Sequence, residues 1–101
     1  MRRAQRSAVG QRIHDLRVRA GLSGRRLSKL ASLSETHVAG IEGPRLLEHV
    51  RPQTLHALAE VLGTTMDYLA FGAGEPPSDR TLTIAVARAQ RQFKLQLRAA
   101  G

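Results

Sequence analysis

The chain has 101 residues, with 16 Lys and Arg against 8 Asp and Glu for a formal net charge of +8, no Cys, no Trp, and three aromatics, Tyr68, Phe71 and Phe93. That length suits one domain rather than a multidomain enzyme, and the lack of Cys excludes a disulfide framework, a thiol nucleophile and a Cys-based zinc finger. Ala and Leu number 14 each while Val and Ile together number nine, so the composition predicts an all-α chain and disfavours an all-β one. No apolar run approaches the roughly 20 residues that span a bilayer, and the Arg-rich start leads into a charged segment rather than a signal-peptide core, so the expectation is a soluble, cytoplasmic protein without a membrane partner.

The charge is unevenly placed. Nine basic groups face the single acid Asp15 up to residue 30, Arg45 and Arg51 face seven acids from 31 to 79, and five basic groups face none from residue 80 onward. Basic ends flanking an acidic middle are the electrostatic footprint of a polyanion binder, or of a surface kept soluble by charge. Arg outnumbers Lys 14 to 2, which suits bidentate contacts to phosphate or guanine.

In chain order, residues 1–8 read as a polar, basic arm. Val9, Ile13, Leu16 and Ala20 recur at helical spacing up to Gly21, and Ser23 can cap a second helix with Leu27, Leu30 and Ala31 inward. After the break Ser32-Leu33-Ser34, Ser34 can cap a short third helix, Ser34 to Glu42, with Val38 and Ile41 inward. A long connection, residues 43–51, carries Leu46, Leu47 and Val50, for which core packing and a dimer contact are the two readings. Pro52 or Gln53 opens a fourth helix with Leu55, Leu58, Ala59 and Leu62 on one stripe, closed by Gly63. Thr65 caps a fifth, with Met66, Leu69 and Phe71 as its apolar residues, and residues 73–79 read as a linker.

Residues 80–101 admit two readings. At helical period Leu82, Val86, Ala89, Phe93 and Leu97 form one stripe; at period two, Leu82-Ile84-Val86 and Phe93-Leu95-Leu97 are two strands. The intervening Ala87 to Gln92 has no turn residue and high helix propensity, which favours the helix. Such a helix either packs on its own domain or dimerises, and the named dimerisation residues are Leu82, Val86, Phe93 and Leu97.

Two short helices joined by a three-residue turn within a bundle form a helix-turn-helix arrangement. Ser28 is the small residue at the crossing and Val38 and Ile41 anchor the second helix, leaving Glu35, Thr36, His37, Ala39 and Gly40 outward, where such a helix meets the major groove.

The runs VGQRIHDLRVRAGLS (9–23), RLSKLA (26–31), VAGIE (38–42) and LHALAEVLG (55–63) resemble the Xre-type, lambda-repressor-like and Cro-like helix-turn-helix family over residues 9–72. The resemblance implies a five-helix bundle binding double-stranded operator DNA, usually as a homodimer on a palindrome, to regulate transcription as a repressor. Carried over, it places Glu35, Thr36 and His37 at base edges: Glu35 accepting from cytosine N4, Thr36 bonding a base edge or packing on a thymine methyl, His37 donating to guanine or phosphate. Arg25, Ser34 and Arg45 fall near phosphates, and Arg2 and Arg3 of the arm follow the backbone or enter a minor groove. The chain departs from the family pattern at Gly24, where Gln is common; at Ser32, where a positive-φ Gly is common and Ser costs roughly 1 kcal/mol in the same geometry; in a recognition helix without Arg or Lys; and in the long 43–51 connection. The alternative function is an antitoxin or adaptor whose fold serves a protein partner such as a toxin.

The four His, at 14, 37, 49 and 56, include no i, i+4 pair, so no metal site is expected. No catalytic triad or phosphate-cradling Gly loop is present, and neither catalysis nor a cofactor is expected.

Overall fold

In the computed structural model, which describes residues 7–43 and 50–100, the first helix, α1 (Ala8–Arg19), starts at Ser7, whose Oγ accepts the Gly10 amide at 3.0 Å. Ile13 and Leu16 are fully buried and Val9 and Ala20 flank them, so the helical stripe faces the core as the spacing predicts. Gly10 is required here by close approach: a Cβ at this position would stand 2.6 Å from the Ile41 carbonyl oxygen.

Five more helices follow: α2 (Gly24–Leu30), α3 (His37–Glu42), α4 (Pro52–Leu62), α5 (Met66–Phe71) and α6 (Asp79–Ala100). No strand occurs among the described residues. α3 packs on α2 and α1, α1 on α5, and α4 lies against α5, α6 and α2. One continuous apolar cluster runs through all six helices. Pro52 stands at the start of α4, where its missing N–H is not needed, and Gly63 ends that helix at φ +68. Thr65 caps α5 by accepting the Tyr68 amide at 3.0 Å.

Phe71 does not join the core. It is 80% exposed, because it lies two positions beyond the buried Leu69, on the other side of a helix that ends at Gly72.

Residues 80–101 were open to a helical and a hairpin reading, and the described part forms a single helix. Ser78 accepts the Thr81 amide at its start, and 22 residues make it about 33 Å long. Its first half is part of the core: Leu82, Val86 and Ala89 are buried, and α4 approaches so closely that a Cβ on Gly63 would stand 2.8 Å from Ala85 Cβ. Arg19 ties the start of α6 to α1, bonding the Pro77 carbonyl at 2.8 Å and Asp79 Oδ1 at 2.7 Å. A groove of about 650 Å³ lies between α4, α6 and the end of α2. Among the described residues no helix is long and apolar enough to cross a membrane.

Candidate nucleic-acid interface

The surface formed by α2, α3 and the turn between them begins with Ser23, whose Oγ accepts the Arg26 amide at 3.0 Å and so starts α2 where the sequence predicts. The helix ends with the Leu33 amide on the Ser28 carbonyl at 2.8 Å and the Ser32 amide on the Lys29 carbonyl at 3.0 Å. That paired closure needs a left-handed residue, and Ser32 supplies it at φ +60. The turn geometry common in the resembling family is therefore kept without its glycine.

The crossing of α2 and α3 is built on Ser28. Its side chain is fully buried; Oγ donates to the Gly24 carbonyl at 2.9 Å and accepts the Val38 amide at 3.1 Å. Val38 and Ile41 anchor α3 in the core, at 0% and 2% exposure. A residue on α2 thus supplies the side-chain cap of α3.

This arrangement corrects the expected start of α3. The helix begins at His37, not near Ser34, and Thr36 occupies the cap position without a side-chain cap bond. Ser34 contributes its carbonyl, which accepts the His37 amide at 3.0 Å. With Val38 already satisfied by Ser28, no hydroxyl at position 34 is needed to hold the helix start.

Glu35, Thr36, His37, Ala39 and Gly40 are all exposed, as is Ser34. No other atom would lie within 4 Å of a Cβ at Gly40, so the outward face of α3 is open there. Glu35 is not solitary: its Oε2 lies 2.9 Å from Arg25 Nη2 and its Oε1 3.3 Å from Lys29 Nζ. Hydrogen bonds from Arg25 and then Lys29 hold its carboxyl below the ordinary range. A residue named as a base reader and one named as a phosphate contact are therefore paired with each other, and Lys29, not named from the sequence, completes the cluster.

Much of the N-terminal positive charge has structural work. Arg12 donates to the Leu69 and Ala70 carbonyls at the end of α5, both at 3.0 Å. Arg17 grips Glu42 with Nε and Nη2, at 2.7 and 2.8 Å, and reaches the Leu22 carbonyl at 2.9 Å. Arg19 holds Asp79, and the Arg26 guanidinium lies 5.1 Å from the centre of the Phe93 ring. Of the described cations of α1 and α2, Arg25 and Lys29 are the two whose partner is the exposed Glu35 beside the start of α3.

Glu42 was also not singled out. It is 7% exposed and bonds His14 Nδ1 at 2.8 Å as well as Arg17. Burial works against its charge, yet the hydrogen bonds from Arg17 and His14 prevail and hold its carboxyl below the ordinary range; the same contact raises Arg17 further. An acid closing a short helix whose partners lie 25 and 28 positions earlier leaves no local signal in the sequence.

Of the other named residues, Arg2, Arg3 and Arg45 lie outside the described residues, as do Leu46 and Leu47 of the connection. Among the named dimerisation residues, Leu82 and Val86 are spent inside the bundle, at 1% and 7% exposure, Phe93 is half-buried beneath Arg26, and Leu97 is 58% exposed. Leu95 and Ile84 are exposed as well.

Residues 8–70 match the family model described as a helix-turn-helix domain. No curated protein and no solved structure matches the chain.

Proposed function

The chain belongs to the helix-turn-helix domain family, and from that premise we propose that it is a sequence-specific, DNA-binding transcriptional regulator of the Xre type, acting in the cytoplasm as a homodimeric repressor on a palindromic operator and not as an enzyme. The observation that carries the reading is the Ser28 junction: it fixes α3 on α2 so that Glu35, Thr36 and His37 stand outward beside Arg25 and Lys29. In this reading the three outward residues meet base edges while Arg25, with Ser34 at the turn, positions the protein on the phosphates. In a homodimer, two α3 helices lie about 34 Å apart, one helical turn of DNA. In vitro selection from random DNA at physiological salt tests it: enrichment of a palindromic motif supports the reading, and failure to enrich any motif removes it.

A second reading, an antitoxin or adaptor with a protein partner such as a toxin, is favoured by the α4–α6 groove and by Leu97, which carries the apolar stripe of α6 beyond the part buried in the bundle. Antitoxins of the resembling family often bind their own operator, so the two readings are compatible.

A further inference from the structure

Arg25 and Lys29 are four residues apart on α2, which brings their cationic heads onto one face of the helix. The Glu35 carboxylate spans both, with one oxygen on each. All three side chains reach solvent, at 67%, 39% and 50% exposure for Arg25, Lys29 and Glu35. The cluster adjoins Thr36 and His37. The remaining cations of α1 and α2 are committed to Leu69 and Ala70, Glu42, Asp79 and Phe93.

A carboxylate offers two anionic oxygens from one centre, and so does a phosphodiester; a guanidinium and an ammonium receive both by the same charge-assisted hydrogen bonds. We propose that Arg25 and Lys29 form a phosphate clamp that Glu35 occupies in the free protein, and that binding DNA exchanges the carboxylate for a backbone phosphodiester. The proposal rests on the DNA-binding reading above and adds to it a residue, Lys29, and an internal competitor. The exchange is feasible because exposed ion pairs hold weakly, whereas a phosphate taken from a duplex also releases condensed counterions. On a duplex that offers Glu35 no matching base edge, Glu35 therefore weakens binding, while its cations provide part of the grip.

The test uses the full chain and a fluorescent duplex of mixed, unselected sequence, with affinity followed by anisotropy between about 50 and 200 mM salt. Removing the competitor in Glu35→Gln is expected to tighten binding roughly 3- to 10-fold. The Arg25→Gln/Lys29→Gln double variant is expected to weaken binding and to flatten the dependence of log affinity on log salt by about one unit, the share of one phosphate. Arg25 and Glu35 are exposed and Lys29 is half-buried, and unchanged thermal unfolding checks that the variants fold. A salt-dependent wild type combined with unchanged or weaker binding by Glu35→Gln, or with an unaltered slope in the double variant, overturns the clamp alone. A wild type that binds no duplex overturns the clamp and the DNA-binding reading together.

Discussion

The hydroxyl of Ser28 on α2 accepts the amide hydrogen of Val38 on α3 at 3.1 Å while donating its own proton to the Gly24 carbonyl at 2.9 Å. One buried side chain thus joins the two helices of the motif and satisfies an amide that the short α3 cannot satisfy within itself. The position admits little else, since Ser28 is fully buried where α2 and α3 meet.

Ser28→Ala should therefore cost about 1–2 kcal/mol, the loss of a cap together with a buried amide left without a partner. Urea unfolding of the variant measures it. A change near zero would show that the Val38 amide finds another acceptor.

Ser32 lies in the left-handed region at φ +60, and a side chain there carries a cost that glycine avoids. Ser32→Gly is expected to raise stability by about 1 kcal/mol without altering the turn. Thermal unfolding reads the gain, and a loss would mean that the greater freedom of glycine in the unfolded chain outweighs the relieved strain.

These two residues show what the sequence carries and what it conceals. The small residue at position 28, the strained turn at 32 and the anchors Val38 and Ile41 follow from local spacing and a recognisable motif. The start of α3 does not, because its capping hydroxyl comes from ten residues upstream. The roles of Arg12, Arg17 and Arg19 are concealed for the same reason: Leu69, Glu42 and Asp79, which they bond, lie 57, 25 and 60 residues away, and a count of charges treats a cation closing a helix end like one facing solvent. The side on which Phe71 falls is not legible either, because a six-residue helix gives too short a window to fix a face by periodicity.

Glu42 predicts a pH dependence. Its carboxyl is lowered from 4.5 in the folded chain, so near that pH the unfolded state binds more protons than the native one. The stability it contributes is fully present above 4.5 and is lost as pH falls through the lower, folded value. The gap between wild type and Glu42→Gln should accordingly be widest near neutrality and close as the solution is acidified from about pH 5 to pH 3. Arg17→Met, which leaves the buried Glu42 charge without its main partner, should cost more at neutral pH, about 3 kcal/mol. Urea unfolding over that pH range measures both, and parallel pH curves for wild type and Glu42→Gln would refute the assignment.

The last helix offers a test of self-association that truncation cannot. Deleting residues 79–101 would strip Leu82, Val86 and Ala89 from the core, so any loss of assembly would be inseparable from loss of the fold. Leu97 and Leu95 avoid this, being 58% and 63% exposed. At 100° per residue they point to roughly opposite sides of α6, and only Leu97 prolongs the stripe of Leu82, Val86, Ala89 and Phe93. If the homodimer uses that stripe, Leu97→Glu should weaken self-association at least roughly tenfold, the effect of losing one central apolar anchor. Leu95→Glu should leave it unchanged, and both variants should keep wild-type stability within about 0.5 kcal/mol. Sedimentation equilibrium distinguishes the outcomes. Equal weakening by both substitutions would point to an interface without a preferred face, and no weakening by either would place the dimer contact elsewhere on the molecule.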